Sequence, residues 1–152
     1  MLFRSYIPTL EEWLYLAITL DLFSRMVIGM AMEARLKAEL VLKALSQALD
    51  HRGKKGKTIH HSDKGSQYTS GDFARMAKKN GITLSMSGTV NCYDNAVAES
   101  FFHTLETGLT HQCKFKSRKE SKNVIFEYIE GFITVSGFIQ LMIIYHQQNL
   151  KH

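Results

Sequence analysis

The chain has 152 residues, 45% apolar and 22% charged, which is the composition of one packed globular domain and excludes disorder, a collagen repeat or a coiled coil. No uncharged apolar stretch, including Ile133 to Tyr145, reaches the roughly 20 residues of a membrane helix, and the amino terminus lacks signal-peptide sections, so a cytoplasmic location without a membrane partner is expected. The net charge of +5 permits a nucleic acid partner without demonstrating one, and two cysteines, Cys92 and Cys113, are too few for a zinc site and read as free thiols.

In chain order, a short first strand is predicted at Phe3 to Ile7. Trp13 to Leu22 and Met26 to Met32, dense in strand-forming residues on either side of Phe23-Ser24-Arg25, predict an antiparallel hairpin. Leu36, Leu40, Leu42, Ala44, Leu45 and Leu49 fall at helical spacing, and the helix ends before Gly53. His51 to Lys57 then makes a basic, glycine-spaced loop. Thr58 to His61 is a strand candidate, Ser70 precedes a helix through Phe73, Met76 and Ala77 that Asn80-Gly81 terminates, and Ile82 to Met86 is another strand. After the polar loop Ser87 to Tyr93, Asp94 or Asn95 caps a helix running through Val97, Phe101, Phe102, Leu105 and Leu109. Lys114 to Lys122 carries five positive charges, and a last helix spans Ser117 to Phe132. This order describes an α/β chain, a mixed sheet flanked by helices.

Asp63 closes a strand and opens a loop that a core strand would not need; alone, such an Asp is as well explained as a turn former. Glu99 sits among Ala96, Val97, Ala98, Phe101 and Phe102, where an acid needs a cation or partner unless it lies on the helix surface. Together they are more telling, because carboxylates converging from a strand end and a helix supply the hard oxygen ligands Mg²⁺ requires.

Four strings carry a family resemblance: Trp13-Leu14-Tyr15-Leu16-Ala17, Asp21-Leu22-Phe23-Ser24-Arg25, His61-Ser62-Asp63-Lys64-Gly65-Ser66-Gln67-Tyr68, and the run from Tyr93 through Glu99 to Phe102. In order and spacing, from about Ser5 to Phe132, the chain resembles transposases of bacterial insertion sequences that share the retroviral-integrase catalytic core. The resemblance implies a ribonuclease-H-like fold and a triad of two Asp and one Glu holding two Mg²⁺ (or Mn²⁺) ions, which hydrolyse phosphodiesters and transfer DNA strands. It makes Asp63 the second acid and Glu99 the third, both catalytic and metal-binding. The family's first acid falls on Phe3, so that Asp is absent and its strand is expected to be reduced to its end. Asp21 is not a metal-binding acid in the family; a nuclease active as it stands would need it, or a partner chain, to complete the site. Adjacent His60 and His61 face opposite sides of a strand and cannot chelate one ion together. Gln67, Tyr68, Asn91 and Asn95 in the flanking loops, with Arg52, Lys54, Lys55, Lys57 and Lys64, are the possible DNA contacts. The implied partners are insertion-sequence ends and target DNA, with a homo-oligomer or the parent transposase as protein partner.

Three departures qualify this. Many relatives carry Lys at the position of Glu106, two helical turns past Glu99, where an acid repels phosphate. Relatives commonly have an acid where this chain has Gly108, which lowers helix propensity by roughly 1 kcal/mol relative to Ala. After Phe132 the family continues with a basic helix, whereas Ile133 to Tyr145 is uncharged. Read in the alternative frame that takes the last base of each codon with the first two of the next, Phe132 through Ile139 can encode Tyr-Asn-Arg-Gln-Trp-Ile-His, the family's tail. The expected organisation is therefore an integrase-like catalytic core at 1–132 and a divergent, frameshifted tail at 133–152. The expected function is a transposase core fragment, inactive alone and binding metal weakly or not at all; the alternative is a non-catalytic fragment that binds DNA or the parent transposase.

Overall fold

The first reversal of the chain is built by one hydroxyl. Thr9 Oγ1 accepts the backbone N–H groups of Glu11 (3.2 Å) and Glu12 (3.1 Å) and donates to the Glu12 carbonyl at 2.6 Å, local bonds that compete with strand pairing. On either side, β1 (Leu2–Pro8) and β2 (Trp13–Leu20) pair antiparallel from Leu2↔Thr19 to Pro8↔Trp13. The computed structural model of the chain describes residues 2–21, 24, 26–53, 58–62, 71–86 and 92–131, with backbone alone at 2–4, 52, 61, 62, 86 and 92–98. β1 exceeds the predicted Phe3 to Ile7 at both ends. Phe3 is paired with Ile18 inside a continuous ladder, so this strand is not the reduced end that was expected.

β3 (Val27–Glu33) completes the predicted hairpin antiparallel to β2. α1 (Ala38–Arg52) follows and packs directly on it. Gly29 sets how close the two come: a Cβ there would run into the Ala44 carbonyl oxygen and lie 2.9 Å from Ala48 N and 3.0 Å from Ala48 Cβ. From the same helix, Gln47 Oε1 accepts the Met30 N–H at 2.7 Å. Gly53, at φ 70°, ends α1 and donates its N–H to the Leu49 carbonyl, a left-handed position that glycine enters without strain.

β4 (Thr58–Ser62), α2 (Gly71–Lys79) and β5 (Ile82–Met86) form a crossover unit whose strands run parallel, Thr58↔Ile82 to Ser62↔Met86. α2 stops where predicted: Asn80 Nδ2 donates to the Met76 carbonyl at 2.8 Å and Gly81 takes φ 68°. The expected single mixed sheet is found as two hydrogen-bonded ladders, β1-β2-β3 and β4-β5, with β1 lying against β4.

Helices cover both faces. On one, Ala17, Leu40, Val41, Ala44, Leu45, Phe73 and Ala77 make a core with α1 and α2. On the other, Ile7, Leu14, Leu16, Ile18 and Leu20 meet Leu105, Leu109, Phe115, Ile125 and Ile129. β2 lies between the two cores, so Leu16 to Leu20 is buried without a break.

α3 (Cys92–Leu105) begins two residues ahead of the predicted cap, which puts Asp94 and Asn95 inside the helix and not at its entrance. Near a helix start the backbone N–H groups carry partial positive charge, so an Asp in the first turn is as well placed as one at the cap. Beyond Leu105 the helix widens into a π-helical turn, Glu106–Thr110, where the Glu106 carbonyl accepts the His111 N–H at 2.8 Å. Leu109 and Gly108 therefore lie in a π turn, not in an α-helical interior. A Cβ on Gly108 would approach Tyr128 Oη to 2.5 Å, so this glycine answers a packing need instead of only lowering helix propensity.

The last described helix, α4, covers residues 118–131. Ser117-Arg118-Lys119-Glu120 has the spacing of a capping box: Ser117 Oγ accepts the Glu120 N–H at 3.1 Å, while the Glu120 carboxylate reaches one residue further back, its Oε2 accepting the Lys116 N–H at 2.7 Å. Replacing Ser117 with alanine is expected to lower stability by about 1 kcal/mol, read as a fall of about 2–4 °C in Tm; an unchanged Tm would show that the box contributes nothing. Arg118 ties this helix start to the Thr9 turn, with its backbone N–H on Glu11 Oε2 (3.0 Å), Nη2 on Glu12 Oε2 (2.9 Å) and Nε on the Trp13 carbonyl (3.3 Å). Among the described residues no helix is long and apolar enough to cross a membrane.

Candidate metal and nucleic-acid site

Three elements bear on the site: β1, which carries position 3; β4, whose last residue, Ser62, immediately precedes Asp63; and α3, which carries Glu99. β1 lies against β4, so position 3 is on the strand next to the one that leads into Asp63. Asp63 itself lies outside the described residues, as do Lys54, Lys55, Lys57, Lys64, Gln67, Tyr68 and Asn91.

Glu99 is exposed on α3, as is Ser100, while Phe101 and Phe102 turn inward, their rings edge to face with centroids 5.7 Å apart. The acid that looked embedded in an apolar string is thus on the solvent side of its helix, free to receive a cation. His103 follows one turn later and Glu106 two turns later, on nearly the same face. These side chains do not converge: among the described residues no group of three or more His, Cys, Asp or Glu is placed to hold a metal ion.

Of the two histidines of β4, the side chain of His60 alone is among those described. His60 is buried against Phe73, edge to face with ring centroids 5.6 Å apart, while the neighbouring Ile59 is exposed. Asp21 stands at the end of β2, half-buried, its backbone N–H donating to the Met26 carbonyl at 2.9 Å. That is a hairpin-closing position.

Of the possible DNA contacts, Arg52 is the last residue of α1. Asn95 is a correction: it lies on α3, not in a loop. Sequence reasoning missed the Arg118 attachment to Glu11 and Glu12. The spacing Ser117-x-x-Glu120 could have announced the capping box at its start.

Comparison with known proteins places these elements. A model described as "Integrase core domain" matches residues 3–92, and a second with the same description matches residues 99–133. The chain is 44% identical over 126 residues to the transposase InsF of insertion sequence IS3A from Escherichia coli K12, covering 83% of this chain and 44% of that protein. It is 41% identical over 128 residues to the transposase of insertion sequence element IS904 from Lactococcus lactis subsp. lactis, covering 84% of this chain and 51% of that one. The chain therefore spans about half the length of these relatives. Among solved structures, the HTLV-2 integrase catalytic core domain in complex with magnesium superposes with a TM-score of 0.57 at 16% identity, covering 70% of this chain and 65% of that one. A chain of the simian T-cell lymphotropic virus intasome in complex with PP2A regulatory subunit B56 gamma gives 0.60 at 19% identity, covering 70% and 37%. The fold is ribonuclease-H-like, as the sequence motifs implied.

Proposed function

Because the chain belongs to the integrase core domain family, we propose that it is the catalytic-core part of an insertion-sequence transposase, descended from an enzyme of DNA transposition and unable to cut or join DNA alone. The observation that carries this reading is Phe3, on the strand beside β4, at the position where the family's first acid is expected. Two-metal phosphodiester chemistry needs an acid that bridges both ions, one activating the attacking oxygen and the other stabilising the leaving oxygen. Phe3 has no oxygen to give.

The donor set does not fit that centre. Asp63 and Glu99 are the proposed metal-binding acids, and the magnesium in the HTLV-2 structure is the reason to take Mg²⁺, or Mn²⁺, as the ion the intact family uses. Two carboxylates without the bridging acid hold a hydrated ion weakly or not at all, and no cleavage step follows from them. DNA is the proposed partner, held by Arg52, Lys54, Lys55, Lys57, Lys64, Gln67, Tyr68, Asn91 and Asn95; a second copy or the parent transposase is the proposed protein partner, supported by a dimeric form of the HTLV-2 core. We take residues 1–132 as the core and 133–152 as the divergent tail, in keeping with the end of the second family match at residue 133.

The expected result is no nicking and no strand transfer on terminal-repeat DNA with Mg²⁺ or Mn²⁺. Cleavage that disappears on Asp63→Asn, in a nuclease-free preparation, would overturn this and make Asp21 the first acid to test.

A further inference from the structure

Among the described residues, a charged patch lies where the π turn gives way to α4. Its five cations, Lys114, Lys116, Arg118, Lys119 and Lys122, look alike in the sequence, but the structure divides them into two kinds. Arg118 is turned inward. Its guanidinium meets Glu12 and the Trp13 carbonyl, its own N–H meets Glu11, and its side chain is only 28% exposed.

Three of the lysines are exposed, and the fourth, Lys122, lies one turn after Arg118 on α4. Phe115, buried and bridged to Thr9, points into the core, so Lys114 and Lys116 on either side of it alternate outward, and both are exposed. Lys119 is exposed and Lys122 half-buried, neighbours on α4 at a separation of three residues. Among the described residues no carboxylate pairs with any of the four. The nearby acids have other tasks: Glu11 and Glu12 hold Arg118, and Glu120 takes the Lys116 N–H.

We infer that Lys114, Lys116, Lys119 and Lys122 form a second phosphodiester-binding surface that holds the nucleic acid backbone without reading bases, while Arg118 in the same segment is a structural clamp that never meets phosphate. Four separate ammonium groups are strongly hydrated point charges on flexible stems, suited to a line of phosphates; the one guanidinium, whose fork suits a fixed carboxylate, is placed against carboxylates. The inference rests on the reading that this chain binds DNA. It adds cations that are separate in the sequence from the basic loop after α1.

The test is the salt dependence of binding by the full 152-residue chain to a short, labelled, random-sequence DNA duplex, followed by anisotropy between about 50 and 200 mM salt. Each phosphate contact contributes about 0.9 to the slope of log affinity against log salt concentration. Replacing all four lysines with glutamine should therefore flatten the slope by about 3 to 4. Arg118→Gln should leave the slope unchanged while lowering Tm. Glu12→Gln, which loosens Arg118 without removing it, should keep or slightly steepen the slope.

Binding by the parent chain with an unchanged slope in the four-lysine variant would overturn this surface and leave the DNA reading standing. Absence of binding by the parent chain at low salt would remove both. A slope that falls by about 1 in a folded Arg118→Gln variant would show that the arginine meets phosphate after all.

Discussion

Replacing Gly29 with valine is expected to be the most destabilising single substitution in the described core. The first added carbon already collides with backbone, the Ala44 carbonyl oxygen and Ala48 N, and backbone cannot rotate out of the way as a side-chain tip can. α1 as a whole would have to lift from β3, opening the core formed by Ala17, Leu40, Ala44 and Leu45. Overpacking a dense interior costs about 1–3 kcal/mol, and contact with rigid backbone belongs at or above the top of that range. A domain with about 5–15 kcal/mol in total loses much of its margin. Gly29→Ala should cost less than valine but still destabilise, and Gly131→Ala, where the added carbon meets nothing within 4 Å, serves as the control. Urea midpoints for the three variants check the order; a Gly29→Val midpoint equal to the parent's would refute the close approach.

On the proposed reading, three changes together should give cleavage. Phe3→Asp would supply the proposed bridging acid, Glu106→Lys would replace repulsion by attraction on the Glu99 face of the helix, and re-framing the tail after residue 132 would supply the proposed basic end. A single preorganised group acting on charge developed in a transition state contributes on the order of 10² to 10³ in rate, so Phe3→Asp should give the largest single step, from background to measurable nicking. A second readout does not depend on turnover. A carboxylate at position 3 of β1, the strand between β2 and β4, should lower Tm without metal and regain it when Mg²⁺ is added, because an ion that binds only the folded state stabilises it. If the triple variant neither cuts nor responds to Mg²⁺, the defect lies elsewhere than these positions.

The β2–β3 hairpin, α1, α2 and β5 were legible because each is announced locally: strand-forming runs, apolar residues at helical spacing, and Asn80-Gly81 as a stop. The start of α3 was misplaced because Asp94 and Asn95 satisfy a cap and a first turn equally well, so residue preference alone cannot choose between them. Gly108 read as a weakness because Tyr128, the side chain that needs the room, comes from a different helix. The Arg118 clamp joins residues more than one hundred positions apart, and nothing near Arg118 in the sequence distinguishes it from the lysines around it. The reading of position 3 rests on the family motif alone, because no local signal in the sequence would mark a lost acid.

The glutamine that reaches from α1 to β3 also bears on how this protein avoids uncontrolled growth of its sheet from copy to copy. Among the described residues β3 has β2 on one side and no strand on the other, and an outer row of amide hydrogens is a template on which another chain can continue the sheet. Gln47 Oε1 occupies the Met30 amide, in the middle of that row, so an incoming strand cannot register across the edge without first displacing it. Gly29 strengthens the block, since the close seat of α1 leaves that side chain short of slack. A nonpolar residue at position 47 would leave the monomer's core intact and expose a seed for fibrillar growth, visible as thioflavin-positive aggregation at concentrations where the parent chain remains dispersed.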